Sequence, residues 1–442
     1  MRTKTEELVR RRAVTLLAGL LLAGLGACAG LLDIEDSSRI EDATLRVPEA
    51  AELWENAVLL AVQSGWDSGL LLHSVVSDEL EATSAGAWWT TVDEGHVADN
   101  QNAGLERAFP DLAAAPWMVE EATNVLDSLR GAGEVIDPAT LARVHLYGAI
   151  AYPAVADVLE DFAPSDRTEA GPPLGEEGMT TLYDRAVEHA TAGLGLVTEP
   201  EARRDLLAAR ARARHGLAVR RRLRPTPADT TGGGLIQDGD ASADAAAALA
   251  VDPGDWRVDF EFSQAAGLAS ATGTAICELS RLRFGSSYSG GSVPADTVTL
   301  LDPIDGVPDP WIEQVVLTAL TGSDCFFPTL SVTSAREMRL ILAEGALAAA
   351  DTVTFATRLN EVRALEGLTA WTPASGIEAR DMLIHERRAR LFLTGRRLGD
   401  LFRFGLTSPR WTANSRATLV PGSLYPIPAS EVAANCHLSG SC

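Results

Sequence analysis

Two tryptophans, Trp88 and Trp89, lie in a polar, glycine-containing stretch shortly after Asp78 and Glu79. Indole faces stack on the apolar faces of sugar rings, while carboxylates and amides hydrogen-bond the hydroxyls, so the grouping suits a carbohydrate. The rival reading is that one or both indoles anchor the loop in the core. Trp66, Trp256, Tyr288 and Trp311 are further candidates for the same surface, whereas Trp117 sits at helical spacing with Val125 and reads as core. The candidate ligand-binding set is Asp78, Trp88, Trp89, Trp256 and Tyr288.

Asp238, Asp240, Ser242 and Asp244 place oxygen ligands at alternate positions, as calcium loops do, but Leu249 stands where such a loop is closed by glutamate. A turn capping the Ala-rich helix that follows is the alternative. No other cofactor and no metal set is implied. Nine arginines between Arg203 and Arg224 invite a nucleic-acid reading, yet they fall on a helical pattern with Glu199, Glu201 and Asp205 nearby, and read as a solvated helix face.

Several chemistries are excluded. Lys4 is the only lysine, so no P-loop, kinase or pyridoxal-phosphate site can be built. There is no GxSxG and no HExxH, and any choice of a glycosidase carboxylate pair would be arbitrary among so many acids. Charged residues are 22% and apolar residues 46% of the 442, ordinary for a chain with a sizeable core. The balance of 37 Lys+Arg against 61 Asp+Glu gives −24, a field that repels phosphate backbones and argues against nucleic acid.

The N-terminus reads as a leader. Arg2, Lys4 and Arg10 to Arg12 precede the apolar run Ala13–Leu25, and Leu25-Gly26-Ala27-Cys28 looks like a bacterial lipobox. That pattern implies removal of residues 1–27 and acylation of Cys28, palmitate among its chains; several chains give firm anchoring where one does not. Residues 28–48 would be the lipidated tether. Cys277, Cys325, Cys436 and Cys442 remain and suggest two disulfides. Pairing Cys277 with Cys325 and Cys436 with Cys442 closes the shorter loops, but three connectivities stay open.

These residues must be carried mostly by helices. Apolar residues recur at helical spacing in 50–62, 117–129, 141–158, 181–196, 205–223, 336–350, 355–365 and 380–404. Neighbouring segments joined by short linkers predict helical hairpins stacked in a divergent TPR-like solenoid: an all-α fold with long irregular excursions and minor β content. The excursions are 79–110 and 225–328, the second with β-like pieces at 256–262 and 297–301.

The C-terminal third carries AREMRLILAEGAL (Ala335–Leu347), RLNEVRALEGL (Arg358–Leu368), HERRARLFLTGRRLGDLFRFG (His385–Gly405) and YPIPASEVAAN (Tyr425–Asn435). With Ser77-Asp78-Glu79 and EEATNVL (Glu120–Leu126), this ordered set resembles the SusD/RagB family of outer-membrane nutrient-binding lipoproteins. The chain departs from the family in Thr394, where a glutamate is usual, in a short middle region and in the cysteine-containing tail 436–442. The resemblance implies a SusD-like TPR-containing binding domain over 49–435, with 225–328 as an insertion facing the substrate. It also implies a non-enzymatic, surface-exposed protein of the outer membrane, which passes oligosaccharide to a SusC-like TonB-dependent β-barrel transporter. A peptide ligand, as for RagB-like proteins, and a TPR-like envelope scaffold without nutrient are the alternatives. The residues of the motifs themselves read as structural: Glu386 and Arg390 can pair across one helical turn, as can Asp400 and Arg403, and Arg387 or Arg388 can reach acids of neighbouring helices.

Overall fold

A computed structural model describes residues 42–165, 169–224, 226–265, 267–278, 280–290, 297–316 and 325–442. Residues 1–27 and Cys28 lie outside the described residues. The chain divides after Ala50 into two units. Of the first, residues 42–50 hold a short helix, Asp42–Leu45, and a 3-10 turn, Pro48–Ala50.

The second unit is built from helices that pack on their sequence neighbours. α1 (Ala51–Val76) lies against α3 (Ala103–Gly131) and α4 (Pro138–Ala156); α4 packs on α5 (Thr180–Leu194), α5 on α6 (Pro200–Leu223), and α6 on α7 (Gly239–Val251). α9 (Ala335–Ala348) follows against α7 and pairs with α10 (Thr352–Leu365). This succession of antiparallel hairpins is the expected all-α, TPR-like array. Its helices start where capping chemistry says they should. The Asn102 side chain accepts from the Gly104 and Leu105 amides at the start of α3, Asp137 caps α4 just before Pro138, and Pro200 opens α6.

α1 runs to Val76, well beyond the amphipathic stretch 50–62. Its second half is buried on every side, from Gly65 to Val76, so no polar stripe marks it. α3 also begins earlier than expected and contains Pro110 and Pro116. Each proline costs the helix an internal hydrogen bond. Burial of Leu105, Ala108, Phe109 and Leu112 in the main core outweighs that cost. The stretch 79–110 therefore holds β1 (Leu80–Ala82), α2 (Ala87–Asp93) and the first turns of α3, rather than one irregular loop. The pattern 380–404 is two helices, α11 (Ala379–Arg390) and α12 (Arg397–Arg403); Leu393 and Gly395, at φ +54° and +72°, turn the chain between them.

Among the described residues the strands form three antiparallel pairs. β1 binds β3 (Leu282–Phe284), with Leu80 opposite Phe284, which draws the 225–328 region onto the strand that leads into α2 and Trp88. β2 (Arg257–Glu261) binds β6 (Thr329–Ser334), with Arg257 opposite Ser334 and a register shift between Val258 and Asp259. β4 (Ser289–Gly290) binds β5 (Thr297–Val298). α8 (Pro310–Gln314) completes the region. Tyr425-Pro-Ile-Pro closes the array as an extended segment: the Tyr425 amide donates to the Val158 carbonyl, and its buried hydroxyl donates to the Leu72 carbonyl at 2.9 Å. Among the described residues no helix is long and apolar enough to cross a membrane.

Candidate functional site

The acids and arginines of the C-terminal motifs form buried ion-pair networks. Arg363 holds Asp302 at 2.7 Å and Glu386 at 2.5 Å, and Arg390 joins Glu386 at 3.1 Å to Asp309 at 2.7 Å, with every side chain fully buried. A second set joins Arg387 and Arg403 to Asp400, each also reaching Glu344. In a third, Arg212 and Arg396 share Glu337 at 2.9 Å. Burial pushes Glu337 up, but these two cations prevail and hold it down at about 2. Buried charges persist only when paired, so these residues weld helices together and are spent. The i,i+4 and i,i+3 pairs expected from sequence, Glu386–Arg390 and Asp400–Arg403, are present.

Asp78 belongs to this structural class. It is buried, with Arg397 bidentate at 2.7 and 2.9 Å and the Ser287 hydroxyl donating at 3.3 Å. Burial raises its carboxyl, but the Arg397 guanidinium overrides that and leaves it below the ordinary value. Tyr288 is wholly buried with its ring 4.6 Å from Phe392 and Arg388 over its face. Trp256 is buried against α7 and α9, its indole N–H donating to the Asp252 carbonyl at 2.8 Å. Trp89 is buried too, and its ring fills the space that Gly104 leaves open. These four side chains offer no face to solvent, so they do not form the stacking surface expected of them. They lie inside because each aromatic has apolar neighbours and the carboxylate has an arginine. Trp66 and Trp311 are likewise buried, whereas Trp117, expected in the core, is half-buried.

Trp88 alone of the set keeps partial exposure. The guanidinium carbons of Arg107 and Arg281 lie 4.9 and 4.7 Å from its ring centroid. Neither arginine makes an ion pair among the described residues, which separates them from the paired arginines of the core. A guanidinium stacked on indole keeps its N–H edge free for a ligand oxygen.

The 203–224 arginines are not a solvated face. Arg210 and Arg214 both clamp the buried Asp244, Arg204 reaches Asp205 and Asp252, Arg224 reaches Glu160 and Glu176, and Arg212 and Arg220 are buried. The same contacts dispose of the calcium loop: Asp244 is taken by arginine, and Asp238 caps α7 through the Ala241 amide. Among the described residues two further groups have metal-ligand composition, Asp302–His385–Glu386 and Cys436–His437–Cys442. Arg363 sits between the acids of the first. The cysteines of the second form a disulfide. The structure pairs Cys277 with Cys325 and Cys436 with Cys442, with Cα separations of 6.3 and 4.9 Å.

Sequence reasoning missed a cleft of about 710 Å³ between α1, α4, the start of α6 and β2. Leu59, Leu146, Ile150, Val197 and Phe260 give it an apolar floor, with Tyr147 beside them. Its parts come from segments far apart in sequence, and no motif announces it.

No protein-family model and no curated protein matches the sequence. Solved structures do match the fold. A SusD-like carbohydrate-binding protein from Bacteroides vulgatus superposes with a TM-score of 0.59 at 14% identity, over 89% of this chain and 98% of that one. A SusD superfamily protein from Parabacteroides distasonis gives 0.60 at 13%, over 88% and 98%. The surface glycan-binding protein A of Bacteroides uniformis gives 0.53 at 14%, again over 88% and 98%. The chain has the SusD-like fold over nearly its whole described length.

Proposed function

We propose that this chain is a lipid-anchored outer-membrane protein that binds oligosaccharide and delivers it to a SusC-like TonB-dependent β-barrel. The observation that carries the reading is the shared fold: it spans almost the full length of neighbours described as carbohydrate-binding and surface glycan-binding proteins. The Leu-Gly-Ala-Cys sequence ending at Cys28 supports the anchor, and the ordered C-terminal motifs support the partner. The binding surface centres on Trp88, with Arg107 and Arg281 supplying hydrogen-bond donors over and around the indole. No bond is made or broken. Capture and release follow from different affinities in the free and transporter-bound states.

Calorimetric titration of the protein from residue 29 onward with a panel of oligosaccharides tests the ligand. Binding of at least one glycan, weakened about tenfold or more by Trp88→Ala, is the expected result. A panel that gives no heat with any glycan, alongside binding of peptides at the same concentrations, would move the assignment to the peptide-binding alternative.

A further inference from the structure

The cleft between α1, α4, α6 and β2 has an open strand edge along one wall. All five residues of β2 line it, from Arg257 to Glu261. The Trp256 carbonyl accepts from the Ala335 amide, and the Phe262 amide donates to the Pro328 carbonyl. Those two bonds fix the alternation in the antiparallel ladder: residues 256, 258, 260 and 262 turn their backbone groups to β6, and residues 257, 259 and 261 turn theirs away from it. On the outer side the Gln63 amide takes the Glu261 carbonyl at 2.8 Å, and Gln63 itself lines the cleft, so the outer edge of β2 is the edge that faces it. Among the described residues the β2–β6 sheet has two strands, and the remaining outward groups of Arg257, Asp259 and Glu261 have no backbone partner. Unpaired strand edges are where extended peptides add as a further strand.

The side chains state what kind of peptide would fit. Glu199, Glu201 and Glu261 are exposed around the cleft and make no ion pair among the described residues. Its two arginines are already engaged, Arg143 with Glu55 at 2.5 Å and Arg257 with Asp259 at 3.3 Å. The surplus is negative above an apolar floor. The volume lies within the usual range of ligand clefts, roughly 300–1,000 Å³. We propose that β2 receives an extended peptide segment with alternating apolar and basic side chains. Its backbone would pair with residues 257–261, its apolar side chains would enter the floor at Leu146, Ile150 and Val197, and its cations would meet Glu199, Glu201 and Glu261. The site is separate from Trp88 and does not depend on a glycan ligand.

Fluorescence anisotropy with a labelled hexapeptide alternating valine and lysine tests this directly. Three comparisons decide it: the glutamate-for-lysine peptide, a fully N-methylated lysine peptide that keeps side chains and charge but has no backbone N–H, and the Glu199→Gln/Glu201→Gln/Glu261→Gln protein. The lysine peptide should bind, and each comparison should weaken binding on the order of tenfold or more. Trp88→Ala should leave it unchanged. Absence of binding, equal binding of the glutamate or N-methylated peptide, or loss on Trp88→Ala would overturn the proposal. Only the last would at the same time assign the peptide to the surface centred on Trp88.

Discussion

Glu79 should titrate far above an ordinary carboxyl, and Glu79→Gln should expose this in the pH dependence of folding. Its side chain is fully buried. Oε1 accepts from the Leu393 amide at 2.8 Å and Oε2 from the Ser74 hydroxyl at 3.0 Å. The Arg397 guanidinium, which pulls Glu79 down only weakly, is committed to Asp78. Burial therefore dominates and moves Glu79 from 4.5 to about 8, although the hydrogen bonds pull the other way. Nor does His73 supply a cation. The Leu398 amide donates to its Nε2, and burial lowers it to about 3. The folded pKa of Glu79 is above the unfolded one, so the native state holds a proton that the unfolded chain releases. This contribution to stability is fully present below about pH 4.5 and is lost as pH rises toward 8. The slope is about 1.4 kcal/mol per pH unit, so roughly 3 kcal/mol disappears between pH 5 and 7. Glutamine matches the neutral acid in shape and does not titrate. Urea unfolding of both proteins, followed by tryptophan fluorescence at several values between pH 5 and 8, gives the difference curve, in which groups common to both cancel. Glu79→Gln should gain on wild type by about 1.4 kcal/mol per pH unit. A flat difference would refute the reasoning and mean that Glu79 is ionised in the native state.

Burial lowers His145 to about 4, with His189 adding to the effect at 2.9 Å between their Nδ1 atoms, so its stabilising contribution is present above about pH 6.5 and lost as pH falls. His145→Gln should reduce the acid-side slope of stability by about 1.4 kcal/mol per pH unit between pH 6 and 4.5, measured by the same unfolding curves. Trp89→Ala should cost about 3–5 kcal/mol through an unfilled core cavity, while Trp88→Ala should cost far less in the same denaturation assay. Arg363→Ala leaves Asp302 buried without its arginine and Glu386 with Arg390 alone, and should cost about 3–5 kcal/mol, seen as a lower urea midpoint with an unchanged slope.

The helical array was legible because its surface-facing helices alternate apolar and polar residues. α4, α5, α9 and α10 fall within a few residues of the periodic segments. Where periodicity vanished, so did the boundary. The second half of α1 is buried on every side, its polar residues Asp67, Ser68, His73 and Ser74 included, and α3 carries two prolines that read as breaks until packing is counted. The β-like pieces at 256–262 and 297–301 are β2 and β5, since short apolar runs in a Gly- and Pro-rich region were a usable signal. The site was less legible. Residue type suggested stacking for Trp89, Trp256 and Tyr288, but whether an indole or phenol faces solvent depends on partners such as Gly104, Asp252 and Phe392, which are distant or unmarked in the sequence. Arg107 and Arg281 stand 174 positions apart, and only the fold brings both to Trp88. The arginine run misled for the same reason: its acids, Asp244, Glu337 and Glu160, come from other helices and loops.

The most direct test of the uptake assignment is a mild-detergent pull-down of tagged protein from its native membranes, with the associated proteins identified by mass. Recovery of a large TonB-dependent β-barrel in near-equal amount, lost when Cys28→Ala removes the anchor from the membrane, is the predicted result. Recovery of soluble envelope proteins alone, or of none, would contradict the transporter partnership and leave the SusD-like fold serving as a scaffold.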